Sequence, residues 1–182
     1  GNALRRTLLS SLQGSAVTSV QINGVLHEFT TIPGMIEDVT DFILNVKKLA
    51  IKLNSDKSKK ITLNVSGPGE IKASQIETGS DVEIVNQDLT LCHLNKSAKL
   101  NIEMTVENGK GYVTAEQRKK GDEPIGLLIL DSLFSPVQKV TYKVENSRVG
   151  QITNFDKLIL DVETNGTIAP DDAIALSSRI LQ

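Results

Sequence analysis

The sequence is poor in the residues that cross-link, stack or coordinate. Its 182 residues include one cysteine, two histidines and no tryptophan, and aromatic residues make up only 3%. A single cysteine forms no disulfide within the chain, which is typical of a reducing compartment. The scarcity of aromatic side chains argues against a stacking platform for nucleic-acid bases. The composition therefore predicts a cytoplasmic protein without such a platform.

An excess of one charge and long apolar runs are missing as well. Twenty basic residues stand against 22 acidic ones, which leaves a net charge of −2. Nothing in this balance attracts phosphate backbones, so we expect no sequence-specific DNA binding. No apolar run approaches the roughly 18 residues that a membrane-spanning helix needs, and no charged-then-apolar leader begins the chain. We therefore expect neither a membrane span nor a signal peptide.

An amphipathic helix is predicted at each end of the chain. The opening helix has a leucine at every fourth position and is predicted to end at Gly14. The closing helix begins at Pro170 and carries a second apolar stripe. Such helices can pack on each other in one molecule or on their copies in a second one. We predict a dimer interface made of the stripe residues, which are Leu4, Leu8, Leu12, Ala173, Leu176 and Ile180.

The chain between these helices is predicted to be mostly strands, which gives an α+β fold. One helix is predicted within residues 37–51, because apolar residues there recur every three or four positions. A hairpin is predicted at Asn23-Gly24, and short alternating runs from Leu49 to about Thr105 predict a series of strands. Residues 107–126 contain four glycines without periodicity and are predicted to form a long surface loop. Three further strands are predicted before the closing helix.

The sequence shows no constellation of residues for chemistry. His27 and His93 have no second ligand at metal-binding spacing, and Cys92 should point away from His93 on the same strand. The acidic pairs Glu37-Asp38 and Asp171-Asp172 lie where helix N-termini favour negative charge. We therefore predict no catalytic residue, no metal and no cofactor. A scaffold or interaction module is favoured over an enzyme.

Several short segments carry a family resemblance. They are GNALRRTLLSS, NGVLHEF, GSDVEIVNQDLTLCHL, GKGYV, EPIG and the stretch from SPVQKV to APDDAI. In this order and spacing they resemble the amino-terminal domain of the α subunit of bacterial-type DNA-directed RNA polymerase, over residues 1–182. Two positions depart from the family's pattern. Lys110 stands where arginine is usual, and Thr114 stands where proline is usual.

The resemblance implies a domain in two parts. A helix-plus-sheet dimerisation subdomain would comprise residues 1–13 and 136–182, and residues 14–135 would form an inserted β-rich subdomain. The family's first strands and its separate carboxy-terminal DNA-binding domain are missing from these residues, so we expect a fragment of a longer chain. The implied location is the bacterial cytoplasm, with the plastid stroma as the alternative.

The resemblance also implies a non-catalytic assembly scaffold within a nucleotidyltransferase complex. Two copies would form a homodimer that docks the β and β′ subunits, which transcribe DNA into RNA from ribonucleoside triphosphates. Arg6, the second member of the pair Arg5-Arg6, matches a recognised family contact. The large-subunit contacts implied in this way are Arg6, Leu9, Lys47, Gly111, Tyr112, Leu130, Asp131 and Val137. The alternative left open by the residues is a free-standing β-rich module that binds a ligand or peptide.

Overall fold

The computed structural model describes the backbone of residues 2–149 and 152–182, and the side chains of residues 2–145 and 157–182. It is a mixed helix-and-strand fold with a sheet-rich body, which confirms the α+β class. The helices are α1 (Asn2–Ser10), α2 (Val39–Val46), α3 (Ala115–Arg118) and α4 (Pro170–Leu181). The strands are β1 (Gln13–Ile22), β2 (Ile51–Leu53), β3 (Lys59–Ser66), β4 (Gly69–Lys72), β5 (Val82–Ile84), β6 (Thr90–Leu94), β7 (Lys99–Lys110), β8 (Tyr112–Val113), β9 (Leu127–Ile129), β10 (Ser132–Leu133), β11 (Val137–Val149) and β12 (Ile152–Thr164).

The main sheet is antiparallel and is built around β1. Its strand order is β3-β7-β1-β2-β5, and β9 pairs with the far end of β1. Strand β7 supplies alternating buried side chains to one face, as its sequence period of two predicts. Helix α2 adds a buried apolar face that includes Val39, Phe42 and Val46. The resulting core spans residues 17–130.

The predicted hairpin at Asn23-Gly24 is wrong. The chain does turn there, with Gly24 at a positive φ of 84° and a hydrogen bond from Val25 N to Ile22 O. The residues that follow form no named strand, and β1 pairs along its length with β7 instead. The long strand β7 buries four side chains, whereas the segment after the turn leaves Leu26 and Phe29 exposed. A distant partner that completes the core has overridden the local turn signal.

The prediction that Gly14 ends the first helix is wrong. It is the second residue of β1, which begins at Gln13 soon after α1 ends at Ser10. An ideal β-carbon at Gly14 would sit 1.7 Å from the backbone oxygen of Phe134. The glycine is therefore needed because another segment of backbone approaches it closely.

The predicted long loop at residues 107–126 contains regular structure. Strand β7 continues to Lys110, and β8 and the one-turn helix α3 follow. Thr114 is the N-cap of α3, and its hydroxyl accepts a hydrogen bond from Gln117 N at 3.3 Å. Thr114 N in turn donates a hydrogen bond to Gln117 Oε1 at 2.9 Å, which completes a capping box. Thr114 thus starts a short helix.

A second, smaller core lies between the terminal helices and the long ribbon of β11 and β12. Its fully buried members are Leu8, Leu12, Val137, Val140 and Ala173. Helix α4 begins with Pro170 at its first position and has Asp171 and Asp172 in its first turn, as predicted. The ribbon pairs Val137 with Thr164 at one end and Val149 with Ile152 at the other. No helix among the described residues is long and apolar enough to span a membrane.

Candidate functional site

A cleft of about 210 Å³ lies where the end of α2 meets β1, β8 and β10. Three of the residues predicted to contact large subunits, Lys47, Tyr112 and Asp131, line this cleft together. They are distant in the sequence and come together only through the fold. The other lining residues are Ser15, Ala16, Val17, Val46, Lys48, Leu49, Ser132, Leu133, Ser135, Gln138 and Asn165.

Tyr112 is displayed at the rim by a tight backbone arrangement. It pairs with Leu133 across the two-stranded sheet of β8 and β10, and the two side chains are 59% and 54% exposed. The preceding residue, Gly111, has a φ of +63°, which favours glycine. Its carbonyl accepts a hydrogen bond from Phe134 N at 2.8 Å. A rigid turn therefore presents two adjacent apolar side chains to solvent.

Asp131 connects this rim to helix α3. Its Oδ1 accepts a hydrogen bond from Ala115 N at 2.6 Å. That bond, together with one from the Tyr112 side chain, holds the pKa of Asp131 below its usual value, and Lys47 and Lys119 add to the effect. The same hydrogen bond to Asp131 raises the pKa of the Tyr112 phenol. The Asp131 carboxylate is thus attached to the start of α3.

Helix α3 is held down on its other side by Arg118. Arg118 Nη1 lies 3.0 Å from Glu107 Oε2 on β7, and the guanidinium carbon is 5.1 Å from the ring centroid of Phe134. The Thr18 hydroxyl donates to the same Glu107 oxygen. Phe134 itself is almost fully buried. The pair and the ring contact fasten residues 115–118 to the sheet.

The predicted large-subunit contacts differ in how far they are exposed. Lys47 is the C-cap of α2 and is exposed. Leu130 and Val137 are 3% and 2% exposed, so they support the cleft from within and offer little surface to a partner. Leu9 is half-buried in the smaller core. None of these contacts is tested by the geometry alone, and each remains a prediction.

The adjacent arginines of α1 differ in their contacts. Arg5 Nε donates a hydrogen bond to the backbone oxygen of Val140 at 3.1 Å. Arg6 is exposed, and among the described residues its side chain has no hydrogen bond or ion pair. The pair therefore divides into one arginine that binds its own chain and one that is directed to solvent.

The six residues predicted for the dimer interface also divide into two groups. Leu8, Leu12 and Ala173 are at most 3% exposed and are covered by this chain's own elements. A covered side chain adds little area to a contact with a second copy, so these three join α1 and α4 to the ribbon. Leu4 is half-buried, whereas Leu176 and Ile180 are 41% and 52% exposed.

Two contacts at this site were not predicted from the sequence. The exposure of Leu133 beside Tyr112 depends on strand pairing, for which the local sequence has no signal. The Arg118–Glu107 pair joins α3 to β7. The capping box Thr114-x-x-Gln117 is the local sequence signal that could have indicated the helix carrying Arg118.

Elsewhere the structure brings His93 to Glu37. Glu37 Oε1 lies 2.5 Å from His93 Nδ1, and Oε2 accepts from His93 N at 2.8 Å. The hydrogen bond to Glu37 raises the pKa of His93. Cys92 is fully buried on the opposite face, as predicted, and burial raises the pKa of its thiol to about 12. Among the described residues no group of three or more His, Cys, Asp and Glu side chains could hold a metal ion.

Comparison with known families gives the context of these contacts. The model of the RNA polymerase Rpb3/RpoA insert domain matches residues 20–135, which is more than half of the chain. The match includes α2, the cleft residues Lys47, Tyr112 and Asp131, and every residue of the larger core except Val17. The chain therefore belongs to the RNA polymerase Rpb3/RpoA insert domain family and is a DNA-directed RNA polymerase subunit of the alpha type.

Proposed function

We propose that this chain is a non-catalytic assembly scaffold of bacterial-type RNA polymerase, which homodimerises and docks the β and β′ subunits. The observation that carries the proposal is the cleft that brings Lys47, Tyr112 and Asp131 together, in which Asp131 accepts a hydrogen bond from Ala115 N and Tyr112 is 59% exposed. Aromatic side chains that are rigid and exposed beside a polar rim are typical of binding hot spots. Catalysis would lie in the large subunits.

The two-part organisation predicted from the resemblance is part of this proposal. Residues 1–13 and 136–182 would form the dimerisation subdomain, and residues 14–135 the insert. The two hydrophobic clusters support this division, because the larger contains buried residues only from 17–130 and the smaller only from 8–12, 137–140 and 173.

We place the dimer contact on the exposed side of α1 and α4. Leu176, Ile180 and Leu181 are 41%, 52% and 49% exposed and follow one another along α4. Leu4 on α1 is the half-buried neighbour from the other helix. Clustered apolar side chains of this kind on a soluble chain mark an interaction surface. Leu8, Leu12 and Ala173 would support it from beneath.

Arg6 is proposed as a second contact with a large subunit. Arg6 is exposed on α1, and the described part of the chain provides no acidic partner for its side chain. A carboxylate or carbonyl on another subunit would form a charge-assisted hydrogen bond with this guanidinium. Leu9, Leu130 and Val137 would act through packing beneath the docking surface.

Binding of purified β subunit to the purified chain tests the docking proposal. Removing a buried aromatic anchor costs on the order of 2 kcal/mol or more, which is about 30-fold in affinity. We therefore expect Tyr112→Ala to weaken binding by about that factor. Tyr142→Ala, at the chain's other tyrosine, is the matched control and should bind normally. Normal β binding by a folded Tyr112→Ala variant would refute docking at this cleft.

A further inference from the structure

The inner part of the cleft, which we call the socket, is lined by small and apolar side chains. Val17, Val46 and Leu49 are 5%, 1% and 7% exposed and contribute buried apolar surface. Ala16, Ser15 and Ser132 also line it, and their small side chains leave the space open. The socket therefore combines an apolar lining with a shape that no side chain of this chain fills.

The volume of the socket selects the kind of occupant. The whole cleft, of which the socket is the inner part, is about 210 Å³ and far exceeds the roughly 10–15 Å³ that one water molecule needs. It is smaller than the roughly 300–1,000 Å³ typical of pockets for cofactors and other small molecules. A single apolar side chain supplied by a partner protein is the occupant that suits both limits, and such anchors dominate protein interfaces.

The charges at the rim indicate which charge the partner should carry beside that side chain. Lys47 and Lys48 are both exposed, and among the described residues neither forms an ion pair. Asp131 is the acidic residue of the lining, and its carboxylate offsets the charge of one lysine. Two lysines and one carboxylate leave the rim with a net positive charge, which complements a carboxylate on the partner.

We propose that the socket receives one apolar side chain of the β subunit, from a segment that also places a carboxylate opposite Lys47 and Lys48. This inference rests on the proposed docking function and specifies its chemistry. The apolar anchor provides most of the binding energy, and the lysines orient the segment and speed its approach. Neither a free small molecule nor a nucleic acid is needed to fill the socket.

The test fills the socket after folding and then empties it again. In Ala16→Cys, benzyl methanethiosulfonate attaches a benzylthio group to residue 16 through a disulfide, and dithiothreitol removes it. The native Cys92 is fully buried with a pKa of about 12, so it does not compete for the reagent. Gln21→Cys is the matched control, because Gln21 is exposed on the same strand and does not line the socket.

The readout is the affinity and association rate of purified β subunit. Labelled Ala16→Cys should bind at least tenfold more weakly, and dithiothreitol should restore the affinity. Labelled Gln21→Cys should bind normally. At low salt Lys48→Glu should slow association at least threefold, whereas Lys52→Glu, at a neighbouring exposed lysine, should not.

The outcomes separate the socket from the docking function. If labelled Ala16→Cys binds normally while Tyr112→Ala binds weakly, the socket proposal is overturned and docking at the cleft stands. If neither change affects binding, both proposals fail. If Lys48→Glu and Lys52→Glu slow association equally, the carboxylate opposite the lysines is refuted, since a general charge effect then explains the result.

Discussion

Replacing the two adjacent arginines by alanine, one at a time, should affect different properties, namely stability for Arg5 and β-subunit binding for Arg6. Arg5 donates from Nε to the backbone oxygen of Val140 at 3.1 Å, whereas Arg6 is exposed with no such bond in the described part of the chain. We expect Arg5→Ala to lower the free energy of unfolding. We expect Arg6→Ala to leave it unchanged or slightly raised, while β-subunit binding falls.

The difference between the two variants isolates one hydrogen bond. Both variants remove a cation from the middle of the nine-residue helix α1, where the helix dipole has little effect, and both introduce the best helix former. These contributions cancel in the comparison. A hydrogen bond from a charged donor contributes about 1.5–3 kcal/mol when shielded, and exposure of Arg5 reduces this to about 1 kcal/mol. Arg5→Ala should therefore be about 1 kcal/mol less stable than Arg6→Ala.

Urea denaturation followed by circular dichroism measures this difference, and β-subunit affinity is measured on the same samples. Equal urea midpoints for the two variants would show that the bond to Val140 contributes nothing to stability. If Arg6→Ala unfolds more readily than Arg5→Ala and still binds β normally, Arg6 is a structural residue. The proposal that it contacts a large subunit would then be wrong.

Three further predictions concern other regions. Gly14→Ala should lower the urea midpoint, because its β-carbon would lie 1.7 Å from Phe134 O and crowding of this kind costs about 1–3 kcal/mol. Glu37 raises the pKa of His93, so the His93–Glu37 pair stabilises the fold fully below about pH 6.5 and loses this contribution at higher pH. The melting temperature of His93→Gln should not show this decrease with rising pH. Leu176→Glu should sediment as a monomer, and an unaltered dimer would exclude this side of α4 from the interface.

Periodic features of the fold were predictable from the sequence. Helix α2 and strand β7 each bury one face over many residues, so their apolar periods of about 3.6 and 2 stand out from local noise. The N-terminal proline and acidic residues of α4 identify its start without any tertiary information. These elements formed as predicted because the local pattern and the tertiary burial agree.

Long-range contacts decided the elements that were not predicted. Gly14 has the sequence signature of a helix end, but its role is set by Phe134, far along the chain. The turn at Asn23-Gly24 lacks a second strand because β7 is the partner that completes the core. The cleft could not be predicted from the sequence for the same reason, because the long-range pairing of β8 with β10 brings Tyr112 and Leu133 together.

The central claim is that the cleft docks the β subunit, and a photo-crosslink tests it most directly. Tyr112 would be replaced by benzoylphenylalanine in the subunit, and the assembled polymerase would be irradiated and its adducts identified by mass spectrometry. The same probe at Lys57, an exposed residue between β2 and β3, is the control. The account predicts a β-subunit adduct from position 112 and none from position 57. An assembled polymerase in which position 112 gives no β-subunit adduct would contradict it.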